Sequence, residues 1–205
     1  MPQHTSQASL ERLRRGNARY RAGTFEMLDG ASEKRPSLSC GQHPHSIVVG
    51  CSDSRVPPEI VFDQGLGELF VVRAAGNVLD TFGLGSIEYA VEHLDVPLIV
   101  ILAHASCGAV SAALAGPAEG PIGALLSEIE PSIHAVRSLP GDLLELATRE
   151  NAVRTAWRLV ERTPSIADRL REGRLQVLAA YNDLAEGSVS FFTAAPSGLD
   201  LDSFP

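Results

Sequence analysis

The sequence predicts an α/β domain built on a mostly parallel central sheet, and three observations carry that reading. Four short runs are apolar throughout rather than alternating: Ser46–Gly50 (SIVVG), residues 69–72 (LFVV), 98–102 (LIVIL) and 175–180 (LQVLAA). That is the pattern of strands covered on both faces. Stretches with helical periodicity lie between them, as crossovers between parallel strands require. The 205 residues, 44% of them apolar, suffice for one domain with a sizeable core. We expect about four core strands flanked by helices, with an N-terminal helical arm, in a single domain spanning residues 1–205 and a core over about 10–190.

The elements follow in order. Residues 8–22 repeat Leu10, Leu13 and Tyr20 at helical spacing. Gly16 is expected to interrupt that helix and Gly23 to end it. The polar residues 29–45 read as a loop leading into the first strand. Residues 81–94 form a helix whose apolar positions are Leu84, Ile87, Tyr89, Ala90, Val91 and Leu94. Residues 116–121 (GPAEGP) read as a flexible turn. The longest helix spans 142–162, with Leu143, Leu146, Val153, Trp157 and Val160 facing mostly inward. Thr163 and Pro164 then supply the cap and first residue of another helix, which Gly173 closes. The tail, residues 194–205, is expected to be loosely ordered.

Composition excludes several function classes. The net charge is −8, from 25 acids against 17 bases, which argues against a nucleic-acid surface and a polybasic membrane face. The longest apolar run, residues 96–103, is strand-sized, so no membrane span is expected. The N-terminal residues lack the apolar segment of a secretory signal. Three cysteines without such a signal point to a cytoplasmic protein with reduced thiols rather than a disulfide framework.

Two of those cysteines sit in chemically dense stretches, Cys-Ser-Asp-Ser-Arg at 51–55 and His-Ala-Ser-Cys at 104–107. Each follows a predicted strand, and sites in parallel sheets gather at the carboxyl ends of strands. Zinc favours thiolate and imidazole ligands, so Cys51, His104 and Cys107 read as a three-ligand site for one Zn2+. Three ligands leave a position open, the mark of a catalytic rather than a structural zinc. Cys107 also opens a helix, which favours its thiolate. Cys40 falls at the opposite end of the strand from Cys51 and reads as a spare thiol. Asp53 and Arg55 can form a bidentate pair that keeps the carboxylate ionised, ready to accept a proton from metal-bound water. Two thiolates weaken the metal as a Lewis acid, so its water should be less acidified than the ~7 of a three-histidine centre. Activity should therefore rise towards alkaline pH. No Gly-x-Ser-x-Gly elbow is present. Gly65-Leu66-Gly67 and Gly83-Leu84-Gly85 complete no dinucleotide fingerprint, and there is no Walker lysine.

With these residues on the page, the chain resembles the β-class carbonic anhydrases. CSDSR followed about fifty residues later by HxxCG carries the likeness. So do residues 13–23, 56–77, 85–91 and 175–189, for a coverage of about 10–190. The resemblance implies reversible hydration of CO2 to bicarbonate and a proton by a zinc-bound hydroxide. It implies one zinc per chain on Cys51, His104 and Cys107, with Asp53 and Arg55 as the gating dyad. It places Gln42 as a hydrogen-bond donor to substrate and Phe70, Ala75 and Tyr89 in an apolar pocket. It also implies a homodimer or higher homo-oligomer, with Gln42, Phe70 and Tyr89 serving the neighbour's site. The chain departs from the family pattern at Ala103, where glycine is usual, at Ala105, and at Ala75, which widens the pocket. Val48 replaces the tryptophan of members with a non-catalytic bicarbonate site, so no such site is expected. The Tyr181–Leu184 stretch is one residue longer than usual. Two other readings compete: a zinc hydrolase of a related cumulene such as carbonyl sulfide or carbon disulfide, and a non-catalytic zinc module used for assembly.

Overall fold

Strands β1 (Ser46–Gly50), β2 (Leu69–Arg73), β3 (Leu98–His104) and β4 (Gln176–Asn182) lie parallel in the computed structural model, which describes residues 4–193. A fifth strand, β5 (Val189–Thr193), runs antiparallel to β4, and the order is β2-β1-β3-β4-β5. Every residue of β1 and β3 is buried, as their unbroken apolar runs require. The four expected core strands are the four parallel ones, and β5 is an addition at the edge. Residues 189–191 of β5 are only half-buried, so β5 has no continuous apolar run to announce it. The turn before it is local: Asp183 Oδ1 accepts the N–H groups of Ala185 and Glu186, and Gly187 takes φ 68°.

Helices cover both faces. They are α1 (Ser6–Ala22), α2 (Ala31–Leu38), α3 (Pro58–Val61), α4 (Thr81–His93), α5 (Gly108–Ala115), α6 (Gly120–Val136), α7 (Leu143–Arg162) and α8 (Pro164–Arg171). Successive strand residues face opposite layers. Ile47, Val49, Ile99 and Ile101 pack with Ile87 and Val91 of α4 and Leu159 of α7. Val48, Val100 and Leu102 pack with Leu13 of α1, Phe62, and Ile129 and Ile133 of α6. Among the described residues no single helix is long and apolar enough to cross a membrane.

Four expectations need correction. Helix α1 runs through Gly16 without a break. Gly16 is buried, and a Cβ there would stand 1.7 Å from the Phe62 carbonyl oxygen. Its glycine serves close packing of helix on backbone, with Asn17 donating to Val61 O (3.1 Å) and Gly187 O (2.8 Å) alongside. Gly23, at φ 70°, does end the helix. Residues 29–45 are not all loop, because α2 forms within them. It buries no residue, so no apolar period marks it. The turn after α5 stops at Glu119, where Gly120 and Pro121 start α6. Asp142 caps α7, accepting the Glu145 N–H at 2.8 Å, and Trp157 of that helix is 37% exposed rather than core-facing. The tail expectation, residues 194–205, lies outside the described residues.

Candidate metal centre

β1 and β3 are adjacent and parallel, with Gly50 opposite Leu102. That register carries Cys51, one residue past β1, and His104, the last residue of β3, to the same rim of the sheet. Cys107 caps the start of α5. The chain returns from His104 to Cys107 through Ser106 at φ 52°. Ala103 takes no positive φ and stays in the extended strand, so the alanine there costs no strain. All three donors are buried, and their ligand atoms lie within 4.8 Å of one another. Cys40 is exposed and apart from them.

The donor set fits a cation. His104 Nδ1 lies 2.9 Å from the Ala105 carbonyl oxygen. That oxygen can only accept, so Nδ1 carries the proton and Nε2 presents an electron pair. Nε2 is buried with no hydrogen-bond partner, an arrangement typical of a ligating imidazole. The two sulfurs point the same way. The contact with Cys107 lowers the pKa of Cys51 against the cost of burial, with His104 and the Gly76 N–H, 3.3 Å from Sγ, assisting. The same contact and burial push Cys107 up. One thiolate is favoured, and a second beside it calls for a positive ion.

Asp53 flanks the cluster. Arg55 donates from Nε to Oδ1 at 2.9 Å and from Nη2 to Oδ2 at 2.8 Å, and the Arg55 backbone N–H reaches Oδ1 at 3.0 Å. Chiefly through that side-chain pairing, Arg55 holds Asp53 well below the usual carboxylate range. Arg55 Nη2 also reaches Ser106 O at 3.2 Å, tying the dyad to the His104–Cys107 turn.

The sequence reading overlooked the residues that hold this rim. Arg73 donates to Cys51 O (2.8 Å) and Asp53 O (2.7 Å). Asn77, at φ 59°, donates its side-chain amide to Leu102 O and to Val49 O, pinning the ends of β3 and β1 together. The Gly76-Asn77 pair, two residue types that readily take left-handed backbone, was the one local signal in the sequence.

The expected pocket residues are dispersed. Ala75 begins the short 3-10 turn Ala75–Asn77, beside the Gly76 that bonds Cys51 Sγ. Gln42 is exposed. Phe70 pairs with Ile47, four positions before Cys51 and therefore about 13 Å back along the sheet. It packs against the α4-side core. Tyr89 is 50% exposed on α4, its ring centroid 4.9 Å from that of His93.

Comparison with known proteins agrees with this geometry. Residues 46–189 match the carbonic anhydrase family. The chain is 41% identical to a carbonic anhydrase of Mycolicibacterium smegmatis, over 92% of this chain and 94% of that one. It is 38% identical to carbonic anhydrase 2 of Mycobacterium tuberculosis, over 91% and 93%. Among solved structures, the β-carbonic anhydrase CafA of Aspergillus fumigatus superposes with a TM-score of 0.75 at 28% identity, covering 92% of this chain and 91% of that one. A tetrameric β-carbonic anhydrase of Sordaria macrospora superposes with a TM-score of 0.73 at 26% identity, covering 80% and 88%. The match runs through both strands that carry the donors, and the chain belongs to the carbonic anhydrase family, in its β class.

Proposed function

We propose that the protein catalyses the reversible hydration of CO2 to bicarbonate and a proton, with one Zn2+ held by Cys51, His104 and Cys107. The observation that carries this is the buried, unpartnered Nε2 of His104 beside two cysteine sulfurs. A Cys2His set is a recognised catalytic zinc environment. When bound, the metal acidifies a water molecule at its open position.

The chain's own groups set the rest. Asp53 is kept ionised by Arg55, so its Oδ2, 3.9 Å from His104 Nε2, accepts a hydrogen bond and cannot donate one. Arg73 holds the backbone of Cys51 and Asp53 in place. Gln42, Phe70, Ala75 and Tyr89 line the CO2 pocket in this reading, with Gln42, Phe70 and Tyr89 completing the site of a neighbouring copy. Phe82 and Tyr89, 84% and 50% exposed on α4, supply apolar surface for such a homo-oligomer. The three free cysteines suit the reducing cytoplasm, where we place the protein.

Metal analysis combined with stopped-flow CO2 hydration across pH tests this. We expect about one zinc per chain and a rate that climbs towards alkaline pH. Absence of bound metal or of hydration would overturn the proposal, and parallel assays with carbonyl sulfide and carbon disulfide separate the cumulene-hydrolase reading. Light scattering reports the oligomer.

A further inference from the structure

We infer that Asn151 is a positioning residue for the metal centre, acting through the Gly76 peptide on the Cys51 sulfur. This rests on the metal reading above. The chain of contacts starts in the helical layer. Ser132 of α6 donates from Oγ to Asn151 Oδ1 of α7 at 3.2 Å. Asn151 Nδ2 donates to Gly76 O at 2.7 Å. The Gly76 N–H in turn donates to Cys51 Sγ at 3.3 Å.

The turn that aims this N–H needs support. Gly76 and Asn77 take φ 64° and 59°, consecutive left-handed residues. A side chain at Gly76 would be strained at this φ, and its Cβ would crowd Ile129 Cδ1 (2.6 Å) and Ala109 Cβ (3.1 Å). The Asn77 amide fastens one end of the turn to the strand ends, and Asn151 fastens the Gly76 carbonyl from the helical side. Asn151 is 4% exposed, at a position of α7 that faces the core. A buried amide there is costly unless its bonds are made. It makes one to Ser132 and directs the other at this carbonyl.

The consequence is electronic as well as geometric. An N–H bonded to a thiolate draws charge from the sulfur and fixes its direction. With two thiolates on one ion, trimming the charge of one restores part of the metal's acidity. Asn151 therefore tunes the ion without touching it.

The test uses the full-length protein loaded with zinc, and with cobalt(II) as a spectroscopic substitute. Asn151→Leu removes both amide bonds at similar volume. Ser132→Ala leaves the Gly76 bond in place but frees the amide that makes it. For Asn151→Leu we expect zinc affinity, by chelator competition, to fall about 10- to 100-fold. We also expect the thiolate-to-cobalt charge-transfer band to move to lower energy, as it does for a more electron-rich sulfur. Ser132→Ala should move both in the same direction by less, and it decides the matter should Asn151→Leu fail to fold. A purely structural role would lower the melting temperature and leave the band in place. Parental band energy and affinity in the variants, whatever their melting temperatures, overturn the inference alone. A parent that binds no metal overturns the metal reading itself.

Discussion

Asp53 Oδ2 stands 3.9 Å from His104 Nε2, beyond hydrogen-bond reach, while Arg55 grips both oxygens of the same carboxylate. The aspartate therefore borders the donor cluster without joining it, and its placement is set by Arg55 rather than by His104. This arrangement keeps an acceptor-only oxygen next to the ligand atoms.

Replacing Asp53 by Asn tests that role. An amide of the same shape can donate a hydrogen bond and carries no charge. CO2 hydration by Asp53→Asn should fall about 10²- to 10⁴-fold, with zinc content by elemental analysis equal to the parent. Equal rates would reduce the pair to an ordinary surface ion pair, and matched loss of zinc would make Asp53 a ligand in its own right.

Metal removal should expose the coupling of the two buried sulfurs. Cys51 and Cys107 are 4% and 1% exposed, whereas Cys40 lies on the surface. In the loaded protein one thiol per chain, Cys40, should react promptly with a disulfide reagent. After chelation two more should become titratable, and the melting temperature should drop because the ion binds only the folded chain. Because both sulfurs must lose protons to take up the ion, affinity should rise with pH. Three reactive thiols before chelation would place the ion elsewhere.

The donors were legible because thiols are few, Cys51 and His104 each close an apolar run, and Cys107 stands three residues after His104. The same runs disclosed β1 and β3, whose burial on both faces leaves polar residues only at their ends, Ser46 and His104. What stayed hidden depends on distant partners. Gly16 reads as a helix breaker until the Phe62 carbonyl is seen against it. Asn151 and Gly76 are 75 positions apart, and neither residue type announces a site by itself. Helix α2 buries nothing, so hydrophobic periodicity could not find it. Gln42, Phe70 and Tyr89 were assigned through family likeness, and a single chain holds no physical signal that joins them to the donors.

Gly16→Ala should destabilise the fold although alanine is the better helix former. The propensity gain is about 1 kcal/mol. Against it, the new methyl would stand 1.7 Å from Phe62 O and 2.7 Å from Gln64 Nε2. Backbone cannot yield that far without α1 lifting from α3 and breaking the Asn17 bonds to Val61 and Gly187. Overpacking of this kind costs about 1–3 kcal/mol or more. Denaturant titration should show a lower midpoint for the variant, and an unchanged or higher one would mean that α1 packs otherwise.

Stability should fall with pH through the titration of His45. This imidazole is fully buried, with Nε2 2.8 Å from Gln64 Oε1 and Nδ1 2.9 Å from Ser46 Oγ. Burial pushes its pKa down to about 4 from 6.5. The Gln64 bond opposes that, with smaller effects from Arg12 and His4 (downward) and Glu68 (upward). Above pH 6.5 the imidazole is neutral in both folded and unfolded chains, and its contribution is intact. Between 6.5 and 4 the unfolded chain takes up a proton that the folded chain refuses, so the unfolding free energy declines as the pH falls. Below 4 both states are protonated and the loss is complete, at most roughly 3 kcal/mol. His45→Gln keeps a neutral hydrogen-bonding side chain without a proton to gain. Its unfolding free energy, measured by denaturant titration at pH 7, 6, 5 and 4.5, should decline less steeply than the parent's. Carboxylates such as Asp53 act on both proteins alike, so the difference between the curves belongs to His45. Parallel curves would mean that the folded chain protonates this imidazole as readily as the unfolded one.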